Sequence, residues 1–221
     1  MTAPVCVTAK GILFDMDGVL VSSIASVIRA WRRWAELYEI ADAENFEIPH
    51  GVRAKDIIGT LRPDVDLKKA AQVIEDLEVE DVADLRVLPG VKALLEGLPP
   101  ERWAIVTSST QRLLLARLKA AGLPLPERII SGDMVERGKP DPEPYRRGAE
   151  LLGFGPSECV VVEDAPSGVG AGKAAGCRVL GVLGTHSAAE LREADWVVGS
   201  LEGLAVRVDG AGLEVRFLPA G

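Results

Sequence analysis

Two aspartates stand one residue apart in Asp15-Met16-Asp17-Gly18, directly after the apolar run Gly11-Ile12-Leu13-Phe14. Paired carboxylates at the end of a buried strand are costly to desolvate unless a cation or a reaction uses them. Asp-x-Asp-Gly also opens calcium loops, but an EF-hand sets its glycine sixth and a glutamate twelfth. Here Gly18 is fourth and Val19-Leu20-Val21 follows, with no side-chain ligand. A plain turn accounts for Asp17 and Gly18, but not for Asp15, the carboxylate nearest the strand. The pair is read as an active site.

In open α/β sheets, ligands bind beyond the carboxyl ends of the strands, so reactive residues should recur there. Trp103-Ala104-Ile105-Val106 ends in Thr107-Ser108-Ser109-Thr110, ahead of a helical stretch carrying Leu114, Leu118 and Ala121. Hydroxyls and amides at a helix start suit a phosphate. Arg137-Gly138-Lys139-Pro140-Asp141-Pro142 holds a lysine in a rigid loop before a helix with Asp141 as N-cap and Pro142 at its first position. Cys159-Val160-Val161-Val162 is a further buried strand and ends in Glu163-Asp164. Singly, each has a structural reading: Thr107-Ser108 as a helix cap, Lys139 as a solvated lysine, the acids at a helix start. All four in one order at equivalent strand ends point to one site.

That set resembles the four motifs of the haloacid dehalogenase superfamily of phosphotransferases, over nearly the whole chain. The runs around Thr107-Ser108, Lys139-Pro140-Asp141-Pro142 and Glu163-Asp164-Ala165-Pro166-Ser167-Gly168, with Ala171-Gly172-Lys173-Ala174-Ala175-Gly176-Cys177, are similar to bacterial hexitol and sugar phosphatases and to yeast-type glycerol and 2-deoxyglucose-6-phosphate phosphatases. The resemblance implies a doubly wound, parallel-sheet α/β core with an inserted α-helical cap. It implies Asp15 as nucleophile forming an aspartyl-phosphate, and Asp17 as acid and then base. Mg²⁺ would be held by Asp15, the Asp17 carbonyl and Asp164, with Glu163 either ligating or orienting that shell. Lys139 would hold nucleophile and phosphate together, and Thr107 or Ser108 would bind phosphoryl oxygens. Asp17 argues against a dehalogenase, whose halide leaves without a proton. It leaves a Mg²⁺-dependent phosphatase of small sugar, hexitol or polyol phosphates, with a β-phosphoglucomutase-like sugar phosphomutase as the alternative.

Composition agrees. The 221 residues allow one or two domains, and 48% hydrophobic content supports a real core. A net charge of −8 argues against a nucleic-acid partner, while lysine and metal can reverse the field locally for an anionic substrate. No apolar run approaches a membrane span, and Met1-Thr2-Ala3-Pro4 does not open a signal peptide. Cys6, Cys159 and Cys177 show no paired spacing, so a reducing, cytoplasmic home is expected. A monomer is the default expectation.

The pattern also divides the chain. Ile24, Val27, Ile28, Trp31, Trp34, Ala35 and Tyr38 recur at helical spacing, with the tryptophans expected in a core. A second helix runs through Leu67, Ala70, Ala71, Ile74 and Leu77, and Glu75, Asp76, Glu78, Glu80 and Asp81 are expected on its solvated face. After Leu88-Pro89-Gly90, strand and helix alternate as in a parallel sheet. The division expected is a core of residues 1–20 and 88–221, with a cap over 21–87. By the resemblance, an insertion there closes over the site and selects the substrate. Within it, His50, Arg53 and Lys55 sit in a loop from which they could reach a phosphate ester or its hydroxyls. Where many superfamily members continue with Asp-Ser, this chain has Val21-Ser22-Ser23, which bears on the hinge and its capping.

Two patterns are set aside. Gly168-Val169-Gly170-Ala171-Gly172-Lys173 lacks the Walker glycine at Ser167 and the hydroxyl at Ala174, and reads as a closely packed helix ending at Gly176. Ser187-Ala188-Ala189-Glu190 fits a capping box opening a helix, making neighbouring His186 structural. Residues 205–208 and 213–217 alternate around Asp209-Gly210-Ala211-Gly212 and predict a hairpin at a sheet edge.

Overall fold

The computed structural model describes residues 3–210 and 212–220. The chain enters through β1 (Val5–Ala9) and β2 (Gly11–Phe14), forms β3 (Val21–Ser22), runs through α1 (Ile24–Leu37), α2 (Ala54–Leu61) and α3 (Leu67–Glu80), and returns as β4 (Arg86–Val87). Helix and strand then alternate through α4 (Val91–Gly97), β5 (Trp103–Val106), α5 (Gln111–Ala121), β6 (Ile129–Ile130), α6 (Glu143–Leu151), β7 (Cys159–Glu163), α7 (Pro166–Ala175), β8 (Arg178–Val182) and β9 (Trp196–Val198). A hairpin of β10 (Ala205–Asp209) and β11 (Gly212–Phe217) follows.

Six strands form one parallel sheet in the order β6-β5-β2-β7-β8-β9. A parallel sheet must be covered on both faces, and its strands read as continuous apolar runs. Side chains alternate accordingly. Ile12, Phe14, Val160 and Val162 pack with Val91, Leu94, Leu114 and Leu118 of α4 and α5. Leu13, Val161 and Val179 pack with Tyr145, Ala149, Val169 and Ala175 of α6 and α7. The core is therefore doubly wound, as the sequence predicts. From β2 the chain builds outward through β5 and β6, then crosses back to β7 on the other side. That reversal opens a crevice at the carboxyl ends of β5, β2 and β7.

The segment between β3 and β4, which pair antiparallel at Val21↔Val87 and Ser22↔Arg86, has its own apolar cluster. Trp31, Trp34, Ile57, Ile58, Ala70 and Ile74 form it, and the Trp34 indole donates to Ala70 O at 3.0 Å. Both tryptophans are thus core residues.

Three expectations change. The acids of α3 are not all solvated: Glu78 is buried, because α3 lays that face on α5. Residues 187–190 open no helix; Glu190 accepts from both the amide and the hydroxyl of Ser187 at 2.8 and 2.6 Å, and only turns follow. α6 begins one residue later than expected, with Pro142 rather than Asp141 in the cap position, and Asp141 Oδ1 accepts from the Glu143 amide at 2.9 Å just ahead of it. The hairpin forms at a sheet edge as expected, with β10 outermost. It joins β1, a strand the sequence reading did not identify, in a separate antiparallel sheet ordered β1-β11-β10, burying Val7, Leu213, Val215 and Phe217 against the core.

Cys159 and Cys177 are buried and Cys6 exposed, and burial pushes the first two thiols up to about 12. Maleimide treatment of native protein at pH 7.5 should therefore label one thiol by mass spectrometry, and denatured protein all three of the chain's cysteines. Rapid labelling of three in the native state would contradict this packing.

Candidate active site

Asp15 directly follows β2, Thr107 follows β5, and Glu163 ends β7, so three adjacent strand ends bring them together. Lys139, from the loop before α6, is buried among them. Its ammonium donates to Asp15 Oδ1 at 2.6 Å, to Glu163 Oε1 at 2.7 Å and to Val106 O at 3.1 Å, which accounts for all three of its N–H groups. Glu163 Oε1 also accepts from the Tyr145 hydroxyl at 2.8 Å, and Oε2 from the amides of Asp164 and Ala165 at 2.9 and 3.0 Å. Four donors fill a carboxylate with about four lone-pair sites. The lysine also lies 4.9 Å from the centroid of the Tyr145 ring. Burial, with Glu163 and Asp15 nearby, pushes the Tyr145 hydroxyl well above its ordinary value, so it remains a donor.

Burial alone would depress the Lys139 ammonium, but the charges of Asp15 and Glu163 outweigh it and the net shift is upward. Burial raises the Asp15 carboxyl to about 7, with Lys139 pulling it down and Glu163 and Asp17 pushing it up. Burial, then Glu163 and Asp15, holds Asp164 well above its ordinary value. Asp15, Glu163 and Asp164 bring carboxylate oxygens within 4.8 Å of one another, against the single ammonium of Lys139. Two glycines permit this crowding. A Cβ at Gly18, where φ is +84°, would lie 1.9 Å from Asp164 Oδ2, and one at Gly168 would lie 1.6 Å from Glu163 Oε1. The buried Thr185 hydroxyl lies beside Gly18 and Asp164. An excess of buried, hard oxygen donors suits a divalent cation such as Mg²⁺.

Asp17 points to another network. Its Oδ1 accepts from the Ser23 hydroxyl at 2.6 Å, and its Oδ2 accepts from Arg117 at 2.6 Å and from the Ser109 hydroxyl at 3.1 Å. Arg117 on α5 is buried and also donates to Glu78 of α3 at 3.1 Å. Burial raises the Glu78 carboxyl to about 7, partly opposed by Arg117. Ser23 begins α1 without a side-chain cap; its hydroxyl is on Asp17 instead. The sequence reading missed Ser109, Arg117, Glu78 and Tyr145 as site residues. Spacing carried a signal for two of them. Arg117 continues the buried stripe of Leu113 and Leu114, and Glu78 that of Ala70 and Ile74.

The remaining candidates line one cavity of about 290 Å³ over the strand ends, reached also by Asp15 and Asp17. Thr107 Oγ accepts from the Ser109 amide at 3.1 Å, while the Ser108 hydroxyl donates to Gly51 O at 2.7 Å. Ser167 donates likewise to His50 O at 3.0 Å. The His50 ring meets His186 edge-on at 5.6 Å, and burial, then His186, depresses its pKa. Arg53 is buried; it forks onto Asp56 at 2.6 and 3.0 Å and donates to Val135 O and Glu136 O at 3.0 and 3.1 Å. Lys55 lines the cavity. Ile24, Val27, Trp31 and Ile48 form its apolar wall.

Residues 9–176 match the family model described as haloacid dehalogenase-like hydrolase. The chain belongs to that family. It is 43% identical over 208 residues to hexitol phosphatase A of Escherichia coli (strain K12), covering 89% of this chain and 94% of the relative. It is 33% identical to glycerol-1-phosphate phosphohydrolase 2 of Saccharomyces cerevisiae, covering 96% and 90%. A hydrolase from Pseudomonas syringae has a similar crystal structure, with a TM-score of 0.78 at 26% identity over 87% of this chain and 94% of that one. In this hydrolase, among the described residues, no helix is long and apolar enough to cross a membrane.

The raised Asp164 carboxyl gives a sign for stability. A carboxyl held above its ordinary value stabilises the fold fully at pH below the ordinary range and loses that contribution as pH rises. In metal-free protein, Asp164→Asn should therefore raise Tm at pH 8 and leave it nearly unchanged at pH 4. A lower Tm at pH 8 would show that this carboxylate is not strained in the fold.

Proposed function

We propose that this hydrolase cleaves phosphate monoesters of small sugars, hexitols or other polyols through an aspartyl-phosphate on Asp15, with Mg²⁺ as cofactor. The observation that carries the reading is the placement of Asp15. It is buried at a strand end, gripped at 2.6 Å by Lys139, and it borders the cavity that also exposes Asp17. The names of the two phosphatase relatives support the substrate class. The cavity lies at the small end of ligand pockets, in keeping with a small ester.

In this reading Asp15 attacks phosphorus, a carboxylate acting as covalent nucleophile. Lys139 fixes its orientation, leaving Oδ2 for the attack. Asp17 gives a proton to the leaving oxygen and then takes one from the attacking water. Thr107 and neighbouring amides meet the phosphoryl oxygens, with Ser108 holding the loop at Gly51. Mg²⁺, held by Asp15, Asp164 and the Asp17 carbonyl, would neutralise phosphate charge; Glu163, already filled by four donors, orients the shell from outside. Residues 21–87 act as the cap over residues 1–20 and 88–221, and His50 and Lys55 face the leaving group's hydroxyls. Arg53, bound to Asp56 and to carbonyls beyond β6, anchors the cap loop. We place the enzyme in the cytoplasm. A sugar phosphomutase would use the same strand-end residues, but the likeness to named phosphatases favours hydrolysis.

Phosphate release from a panel of hexitol, sugar and glycerol phosphates tests this. With Mg²⁺, release should be readily measured, be abolished by a chelator, and fall by about 10⁴-fold or more in Asp15→Asn. Asp17→Asn should lose about 10²–10⁴-fold. Release that persists in Asp15→Asn, or conversion of a sugar 1-phosphate to its 6-phosphate without release, would overturn the reading.

A further inference from the structure

We propose that Arg117 is the positioning residue for the general acid of this site, holding Asp17 in register and tying that hold to the seating of α3 through Glu78. The inference rests on the phosphatase reading and adds to it a residue that lies outside the four motifs.

The geometry is specific. Both Asp17 oxygens accept hydrogen bonds, Oδ1 from Ser23 and Oδ2 from Arg117 and Ser109, so three donors from three elements set the direction of the carboxyl. Ser23 belongs to the start of α1 and Ser109 to the loop after β5, while Arg117 comes from the buried face of α5. The Arg117 side chain is only 3% exposed, and its guanidinium bridges two carboxylates, Asp17 and Glu78. One of its terminal nitrogens bonds Asp17 and Ser109 (2.6 and 3.2 Å), and the other bonds Glu78. A planar, rigid fork of this kind transmits the position of one partner to the other. A buried ion pair of this sort adds little net stability compared with apolar packing. Its clear effect here is on where Asp17 points.

Glu78 belongs to α3, whose acidic face is seated on α5 by further contacts. Glu75 accepts from the Thr110 hydroxyl, and Arg112 donates to Glu75 at 2.9 Å. Seating α3 and completing the partners of Arg117 are thus one arrangement. When the P–O bond to the leaving group breaks and the bond to Asp15 forms, the proton moves from Asp17 to the departing oxygen. Water then returns a proton to Asp17 as it releases phosphate from Asp15. The first transfer is sensitive to Asp17 geometry only when the leaving oxygen needs a proton.

That dependence separates positioning from simple structural support. kcat/KM is measured for a series of aryl phosphates with leaving-group pKa from about 5 to 10 and for an alkyl phosphate, in wild type, Arg117→Met, Arg117→Lys and Glu78→Gln. For Arg117→Met the expected result is kcat/KM within about threefold of wild type for the best leaving group and a loss of about 10²-fold for the alkyl ester. The plot against leaving-group pKa steepens. Arg117→Lys should recover part of the slope, and Glu78→Gln should steepen it less than Arg117→Met does. Parallel plots, with every ester slowed alike, would assign Arg117 a structural role only, and superimposed plots would assign it none. If circular dichroism shows that Arg117→Met is unfolded, the lysine and glutamine variants carry the same comparison. A wild type that releases phosphate from no ester overturns the phosphatase reading itself, and this inference with it.

Discussion

One buried ammonium lies at the centre of this structure. Lys139 is enclosed where the carboxyl ends of β2, β5 and β7 meet, and it bonds Asp15, Glu163 and a carbonyl of β5. Without it, the neighbouring carboxylates would be buried and uncompensated, which costs several kcal/mol per group. With it they are still under-neutralised, since Asp164 is held well above its ordinary value by burial and by its two acidic neighbours. A crevice that concentrates buried carboxylates and leaves part of their charge uncompensated suits a divalent cation.

The fold supplies the crevice and the closeness. The strand order reverses beside β2, so three strand ends converge without a covering helix. Gly18 and Gly168 let backbone approach Asp164 and Glu163 where any side chain would collide. Tyr145, on α6, reaches under the sheet to complete the donors on Glu163. The segment between β3 and β4 contributes its own apolar cluster and reaches the core through polar contacts, from Gly51 and His50 to Glu78. Polar contacts of this kind are weaker and more salt-sensitive than an apolar seam.

Much of this was legible in the sequence because it is written in local pattern. The apolar runs before Asp15, Thr107 and Glu163 announce buried parallel strands, and helical spacing announces α1 and α3. The family motifs then point to Asp15, Lys139 and Asp164 as parts of one site, and Asp15 meets both of the others there. The misses have physical reasons. β1 is a short strand whose partner, β11, begins two hundred residues away, so no neighbouring turn reveals it. The acids of α3 look like a solvated face until a buried arginine from α5 meets Glu78. Arg117 and Asp17 are a hundred residues apart, and periodicity can mark Arg117 as buried but cannot name its partner. Ser187 to Glu190 has the residues of a capping box, but no helix follows them, because a cap secures a helix without making one.

The most direct measurement is to mix enzyme, Mg²⁺ and a hydrolysed ester, quench in acid during turnover, and map the peptides by mass spectrometry. The account predicts one phosphoryl group on the peptide containing Asp15, located to Asp15 itself and absent from Asp15→Asn. Turnover with no phosphorylated peptide, or with the phosphoryl group on another residue, would contradict it.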